Sequence, residues 1–188
     1  MIDLVWSFSP WLIFIVLTRF LPAWEVVGLS LIAALTVLGR AVQRSRVHLL
    51  DIIATAYFVA LGIVALVARD VLDQWAGYAQ AGAHLIVTLT IFGSVLLGRP
   101  FTESYARQSV PRAYWNSPIF HAVNRQISLA WGVAFLAGFV SLLIAGMLNG
   151  SFTFVLRIVI PCLALYLAYR YTDHVRRERR PVAQTASG

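Results

Sequence analysis

Six apolar stretches, each close to the length of one bilayer crossing, dominate this chain and leave few folds open to it. A hydrocarbon core of roughly 30 Å needs about 20 predominantly apolar residues per helical crossing. The stretches run over 4–18, 21–39, 49–68, 76–98, 127–148 and 152–169. Pro22 opens the second, at a first-turn position where a proline sacrifices no hydrogen bond. Arg19 marks the hairpin before it, and Asn149-Gly150-Ser151 is read as a tight turn between the last two stretches. Only 12% of the 188 residues are charged, against roughly 25% in soluble domains. With 60% hydrophobic residues, a water-soluble fold could not cover the apolar surface. The expected fold is an all-α, polytopic helical membrane bundle of six transmembrane helices, or five if the first stretch lies in the interface. Residues 1–171 form a single transmembrane domain in this reading. The first stretch is the one in question, being short and carrying Ser7, Ser9 and Pro10.

The net charge of +7 and the pI near 10.3 belong to the loops. A nucleic-acid binder carries its basic residues on a soluble, patterned face, whereas here they fall between apolar runs, so no nucleic-acid partner is expected. Loops rich in arginine stay on the cytoplasmic side. One set of alternate connections holds Arg40, Arg44 and Arg46, then Arg99, Arg107, Arg112 and Arg125, then Arg170, Arg176, Arg177, Arg179 and Arg180. The opposite side has only Arg19 and Arg69. Both termini are therefore predicted to be cytoplasmic. Arginine used to the exclusion of lysine, beside abundant Ala, Val, Leu and Gly, points to a GC-rich bacterial genome and so to a bacterial inner membrane. The N-terminus has no basic region before its apolar stretch and no small-residue cleavage site after it, so no removable signal peptide is expected. The lone Cys162 excludes an intrachain disulfide, a CxxC pair or a cysteine-based zinc site.

The long connection, 99–126, is too long for a simple turn and too aromatic for a flexible linker. Phe101 and Tyr105 are one helical turn apart, as are Glu103 and Arg107, which predicts a short amphipathic helix on the membrane surface with an i,i+4 ion pair. Pro111 should end it. Tyr114 and Trp115 suit the headgroup level, and Ser117-Pro118 reads as the cap and first turn of the helix entering the fifth span. Phe120, Val123 and Ile127 would form its lipid-facing stripe. The tail, 172–188, is basic and polar, and disorder is expected after its arginine cluster, which could hold anionic headgroups.

Ionisable residues inside spans are costly and are candidates for function by default. Glu25 and Asp51 fall in the first turns of the second and third spans, where helix N-termini favour an anion. Arg157 lies two turns into the sixth span, able to snorkel or to pair with Glu25. His84 is the deepest, with Gln80, Thr88 and Thr90 near it, either a relay or ligand group or an imidazole bonded to a neighbouring helix. Haem is not expected, because His48, His121 and His174 all lie at span edges. Small residues at four-residue spacing, Ala130, Ala134 and Gly138 in one row and Ala137, Ser141 and Ala145 in another, suit close helix packing within the chain or in a homo-oligomer. GxSxG, HExxH and Walker motifs are absent. No catalytic, cofactor-binding or metal-binding residue is assigned.

From Gly98-Arg99-Pro100-Phe101-Thr102 through Pro111, Trp115, Pro118, Phe120 and Asn124 to Trp131-Gly132 and Phe135, the pattern resembles the intracellular septation protein A family of small bacterial inner-membrane proteins. Arg99, Pro100, Trp115, Asn124 and Trp131 are the matching positions. Phe101-Thr102 replaces the usual aliphatic pair and Tyr105-Ala106-Arg107 is an added feature, so a sister family fits equally. The resemblance implies a non-enzymatic role in the cell envelope, in septation or cell division, exercised through protein or lipid partners; the contact candidates are its matching positions Arg99, Pro100, Trp115, Asn124 and Trp131, together with Tyr105 and Arg107 of the same surface segment. The alternative is a small oligomeric transporter or channel with a polar path near His84, lined also by Glu25 and Arg157.

Overall fold

A computed structural model describes residues 2–18, 20–148 and 152–185. Among these there are helices and no strand: α1 (Ile2–Leu17), α2 (Ala23–Gln43), α3 (Leu49–Val67), α4 (Arg69–Leu96), α5 (Thr102–Ala106), a 3-10 turn (Arg112–Tyr114), α6 (Pro118–Met147), α7 (Phe152–Phe154), a π-helical turn (Val155–Val159) and α8 (Ile160–Thr185). Five helical stretches are long and apolar enough to cross a membrane: Ala23–Gln43, Leu49–Val67, Gly77–Leu96, Pro118–Met147 and Phe152–Glu178. The protein is an all-α, multi-pass membrane bundle. At 16 residues, α1 reaches about 24 Å at 1.5 Å per residue, short of the full hydrocarbon thickness. The hairpin at Arg19 and the turn at Asn149-Gly150-Ser151 lie outside the described residues. Packing divides the chain into two units, Met1–Val87 and Thr88–Gly188.

The first unit is built on aromatic interlock. Trp11 packs on Tyr57 and Phe58 at centroid distances of 5.4 and 5.2 Å, and Phe14 meets Phe58 edge-on at 5.4 Å. Phe58 is fully buried, as are Val26, Val27, Leu50 and Ala54 of α2 and α3. Lipid tails are as apolar as these side chains, so the gain comes from dispersion contacts and shape rather than from expelled water. The Tyr57 hydroxyl donates to the Ala79 carbonyl, tying α3 to α4, and Gly82 lets that hydroxyl approach, since a Cβ there would stand 3.3 Å from it. The helix of α1 runs unbroken through Pro10. Proline supplies no N–H to the carbonyl four residues back, and here the Ser9 hydroxyl donates to that carbonyl, Trp6 O, at 2.7 Å. The serine beside the proline thus gives that carbonyl the donor the proline lacks.

Only Ala68 separates α3 from α4. The sequence places 69–75 in a loop, but Asp70 stabilises a helical first turn there and carries the helix out past the apolar stretch. Trp75 on that extension and Tyr78 at the start of the apolar stretch, both about half exposed, sit 5.1 Å apart, where amphipathic rings suit the headgroup level.

The second unit is organised by α6 against the π turn and α8. α6 has 30 residues, about 45 Å, because the stretch from Pro118 to Gln126 is continuous with the fifth span. Ser117 caps it, accepting from the Phe120 amide at 3.2 Å, with Pro118 in the first turn. Ala134, Gly138, Ser141 and Ala145 are buried, so these small residues serve packing within the chain. At Gly132 a Cβ would lie 3.0 Å from the Phe92 ring and 3.1 Å from Ile91, a close approach that only glycine permits without a shift.

Three expectations are corrected in this unit. The stripe Phe120, Val123, Ile127 does not face lipid: Phe120 and Ile127 are 7% and 4% exposed. α5 is not a surface-lying amphipathic helix either, because Phe101, Thr102, Glu103, Tyr105 and Ala106 are all buried; the segment is folded into protein on every side but that of Ser104 and Arg107. Its five residues cannot hold a lipid-binding face. Finally, the helix of the sixth span runs through the arginine cluster and on to Thr185, past the point where the sequence predicts disorder. Asp173–Arg177 (2.7 Å) and His174–Glu178 (3.3 Å) are i,i+4 pairs, and Thr172 and Val175 are buried, so the polar tail has both local support and a packed face. The side chains of Arg179 and Arg180 lie outside the described ones.

Candidate functional site

Two polar constructions stand at the arginine-bearing ends of the units. In the second unit, the segment after α4 is fastened to α6 by buried hydrogen bonds. The turn that closes α4 has Gly98 at φ +69°, where the Gly98 amide donates to Val95 O at 3.0 Å and the Arg99 amide to Ser94 O at 2.9 Å, the pairing of a Schellman motif. The Phe101 amide then donates to the Ser94 hydroxyl at 3.1 Å. Thr102 Oγ1 donates to the Asn124 carbonyl and is shared with Ser128 Oγ, both at 2.9 Å. Asn124 itself donates back to Phe120 O at 2.8 Å.

Glu103, 6% exposed, faces two basic groups: its Oε1 lies 2.7 Å from His121 Nδ1 and its Oε2 3.5 Å from Arg107 Nη2. The predicted i,i+4 pair therefore forms, with His121 as a partner that sequence spacing does not reveal. Arg107 and Arg112 both lie over the Trp115 ring, at 5.3 and 5.5 Å, and Trp115 Nε1 donates to Val110 O at 2.8 Å. Cation–π contacts of this kind contribute about 0.5–1 kcal/mol when exposed. They bias two surface guanidinium groups toward one ring. Arg99 is exposed and Pro100 buried. Tyr105 is buried edge-on to Phe101 at 6.2 Å, and Trp131 Nε1 donates to Thr172 Oγ1 at 3.0 Å. Of the seven contact candidates, Arg99, Arg107 and Trp115 offer surface, whereas Pro100, Tyr105, Asn124 and Trp131 build the platform beneath.

The intramembrane candidates divide between the units, Glu25, Asp51 and His84 in the first and Arg157 in the second. His84 is 2% exposed, its Nδ1 3.1 Å from Gln80 O one turn back in its own helix. Arg157 donates to Ala145 O at 3.3 Å, near the C-terminal end of α6, where the helix dipole favours a cation. Glu25 is half-buried in the first turn of α2, the anion-favouring end. Asp51 is 2% exposed in the first turn of α3, and its Oδ2 accepts from the His48 amide at 3.0 Å. This capping role is the one the sequence suggests.

In the first unit, a cavity of about 190 Å³ opens among Trp6, Arg40, Arg44, Arg46, His48 and Asp51. Glu25 and His84 do not line it. Arg40 lies over the exposed Trp6 ring at 5.0 Å. α2 ends in a second Schellman motif, the Ser45 amide donating to Val42 O (3.0 Å) and the Arg46 amide to Ala41 O (2.8 Å), with Ser45 at φ +51°. That turn brings Arg44 and Arg46 around the N-terminus of α3. In the sequence these arginines register only as topology signals; the signal that marks them as a site is three arginines within seven residues, closed by an acid in the next helix's first turn.

No family model, curated protein or solved structure matches the chain.

Proposed function

We propose that this protein is a non-enzymatic component of the bacterial inner membrane, with both termini in the cytoplasm, that docks protein partners of the cell envelope in the manner its septation-protein-A-like pattern implies. The observation that carries this reading is the Arg107–Trp115–Arg112 stack, borne on a segment that buried hydrogen bonds fasten to α6. Arginine and tryptophan supply a large share of binding energy at protein interfaces when held in place beforehand. Two guanidinium groups drawn to one ring beside an exposed Tyr114 suit an acidic segment with an aromatic or aliphatic anchor. The buried Thr102, Asn124 and Ser128 network is then the scaffold, and its role is rigidity.

The test is in-membrane crosslinking followed by affinity capture of the full chain and of Arg107→Ala/Arg112→Ala/Trp115→Ala. These side chains sit at the surface, so the triple variant should elute like the parent. Loss of the captured envelope proteins is the expected result. An unchanged set of captured proteins overturns the reading.

A further inference from the structure

We infer that the cavity between Trp6 and Asp51 is a headgroup site for an anionic, hydroxyl-bearing phospholipid of the phosphatidylglycerol type. The inference stands on the first unit alone and does not depend on the docking surface proposed above. Arg40, Arg44 and Arg46 line the cavity, and none of them forms an ion pair among the described residues. Guanidinium groups are built to bind phosphate oxygens through paired N–H donors. Asp51 lines the same cavity. Its Oδ2 is committed to the His48 amide, but Oδ1 is buried and has no hydrogen-bond partner among the described residues. A buried carboxylate oxygen left in that state is costly. A ligand that brings a donor to it removes the cost.

These features select a ligand with two chemistries: a phosphate for the arginines and a donor for Asp51. Three guanidinium groups against one carboxylate leave the cavity positive, which disfavours an ammonium as the donor and favours a hydroxyl. A glycerol phosphodiester has both, with one negative charge. The volume of about 190 Å³ is far above the roughly 10–15 Å³ that holds a single water, so a headgroup fits where a lone ion would be loosely held. The membrane is the source because the cavity lies where α2 ends and α3 begins, at the ends of two spans. Its rim carries the half-exposed Trp6, a residue type suited to the headgroup level.

The test uses the full chain purified in neutral detergent and native mass spectrometry against phosphatidylglycerol, phosphatidic acid, phosphatidylcholine and free glycerol 1-phosphate. Phosphatidylglycerol should be retained above the other three. Arg44→Gln/Arg46→Gln should weaken its retention roughly 25-fold, about fivefold per arginine. The control Arg99→Gln/Arg125→Gln, which removes the same charge from exposed positions in the other unit, should leave retention unchanged. Asp51→Asn should move preference toward phosphatidic acid, whose greater charge the carboxylate opposes. Equal retention in the Arg44/Arg46 variant, equal loss in the control, or a parent preference for phosphatidic acid or phosphatidylcholine would overturn the site. Glycerol 1-phosphate binding as tightly as the lipid would overturn its assignment to the membrane.

Discussion

Gly98 and Ser45 occupy the same place in two helix ends, the left-handed residue of a Schellman motif, and only one of them is the residue that this place favours. A side chain in the left-handed region costs about 1–2 kcal/mol. Gly98→Ala should therefore destabilise the protein by about 1 kcal/mol, read as a lower thermal midpoint in detergent. Ser45→Gly should be neutral to stabilising by up to about 1 kcal/mol. A cost for Ser45→Gly would mean that the serine side chain has a role beyond the turn, as a residue beside the arginine cavity could. At this scale the sequence was partly legible. Asp51 at the third span's first turn, Ser117-Pro118 as cap and first turn, and Glu103 with Arg107 follow from spacing alone and stand as read. His121 opposite Glu103 and Thr102 against Ser128 were not legible, because α5 meets α6 through a fold-back whose geometry no local period encodes.

Pro10 and Pro161 lie within apolar helical stretches, and each has a serine hydroxyl on the carbonyl it deprives. Ser9 serves Trp6 O for Pro10. In the π turn the Ile160 amide reaches back to Val155 O, so the next bond in that pattern would run from residue 161 to Leu156 O. Pro161 has no N–H to make it, and Ser141 of α6 donates to Leu156 O at 2.5 Å instead. Unsatisfied backbone groups in a bilayer are costly, so Ser141→Ala should destabilise by about 0.6–2 kcal/mol. Pro161→Ala restores an intrahelical donor, and the cost of Ser141→Ala should shrink in that background. A double-mutant cycle by thermal unfolding in detergent measures the coupling; additive costs would show that the hydroxyl does not stand in for the missing amide. The stripe of small residues identified Ser141 as a packing position in the sequence, but its second use depends on a partner fifteen residues away in a π turn. Element positions were otherwise readable, since apolar runs about 20 residues long have one way to satisfy their backbone. The misreadings fell on 69–75, 99–126 and the tail, where hydropathy is mixed and tertiary contacts decide.

For the molecule as a whole, topology rests on where arginines fall and on what α1 does. The five long helices are an odd number, so if α1 does not cross, the two termini lie on opposite sides. Its 16 residues span about 24 Å, a shortfall that local bilayer thinning or flanking residues can absorb at a fraction of a kcal/mol per Å. Its inward side is not suited to an interface: Phe8, Trp11 and Phe14 are buried at 7%, 2% and 2% exposure, and Trp11 and Phe14 pack on Tyr57 and Phe58 of a full-length span. Its outward side is apolar as well, with Val5, Leu12 and Val16 at 61%, 44% and 54%. An interfacial helix presents a strongly polar face to water, and α1 has none. The expected outcome is that α1 crosses and both ends are cytoplasmic. Fusions of a fluorescent protein that matures only in the cytoplasm, and of a phosphatase active only outside it, at each terminus decide the matter. Fluorescence at both ends with no phosphatase activity is the predicted result. Phosphatase activity at the N-terminus alone would place α1 in the interface and leave a five-span protein. Activity at the C-terminus would invert the arginine-based orientation and move both the Arg107–Trp115–Arg112 surface and the arginine cavity to the outer side.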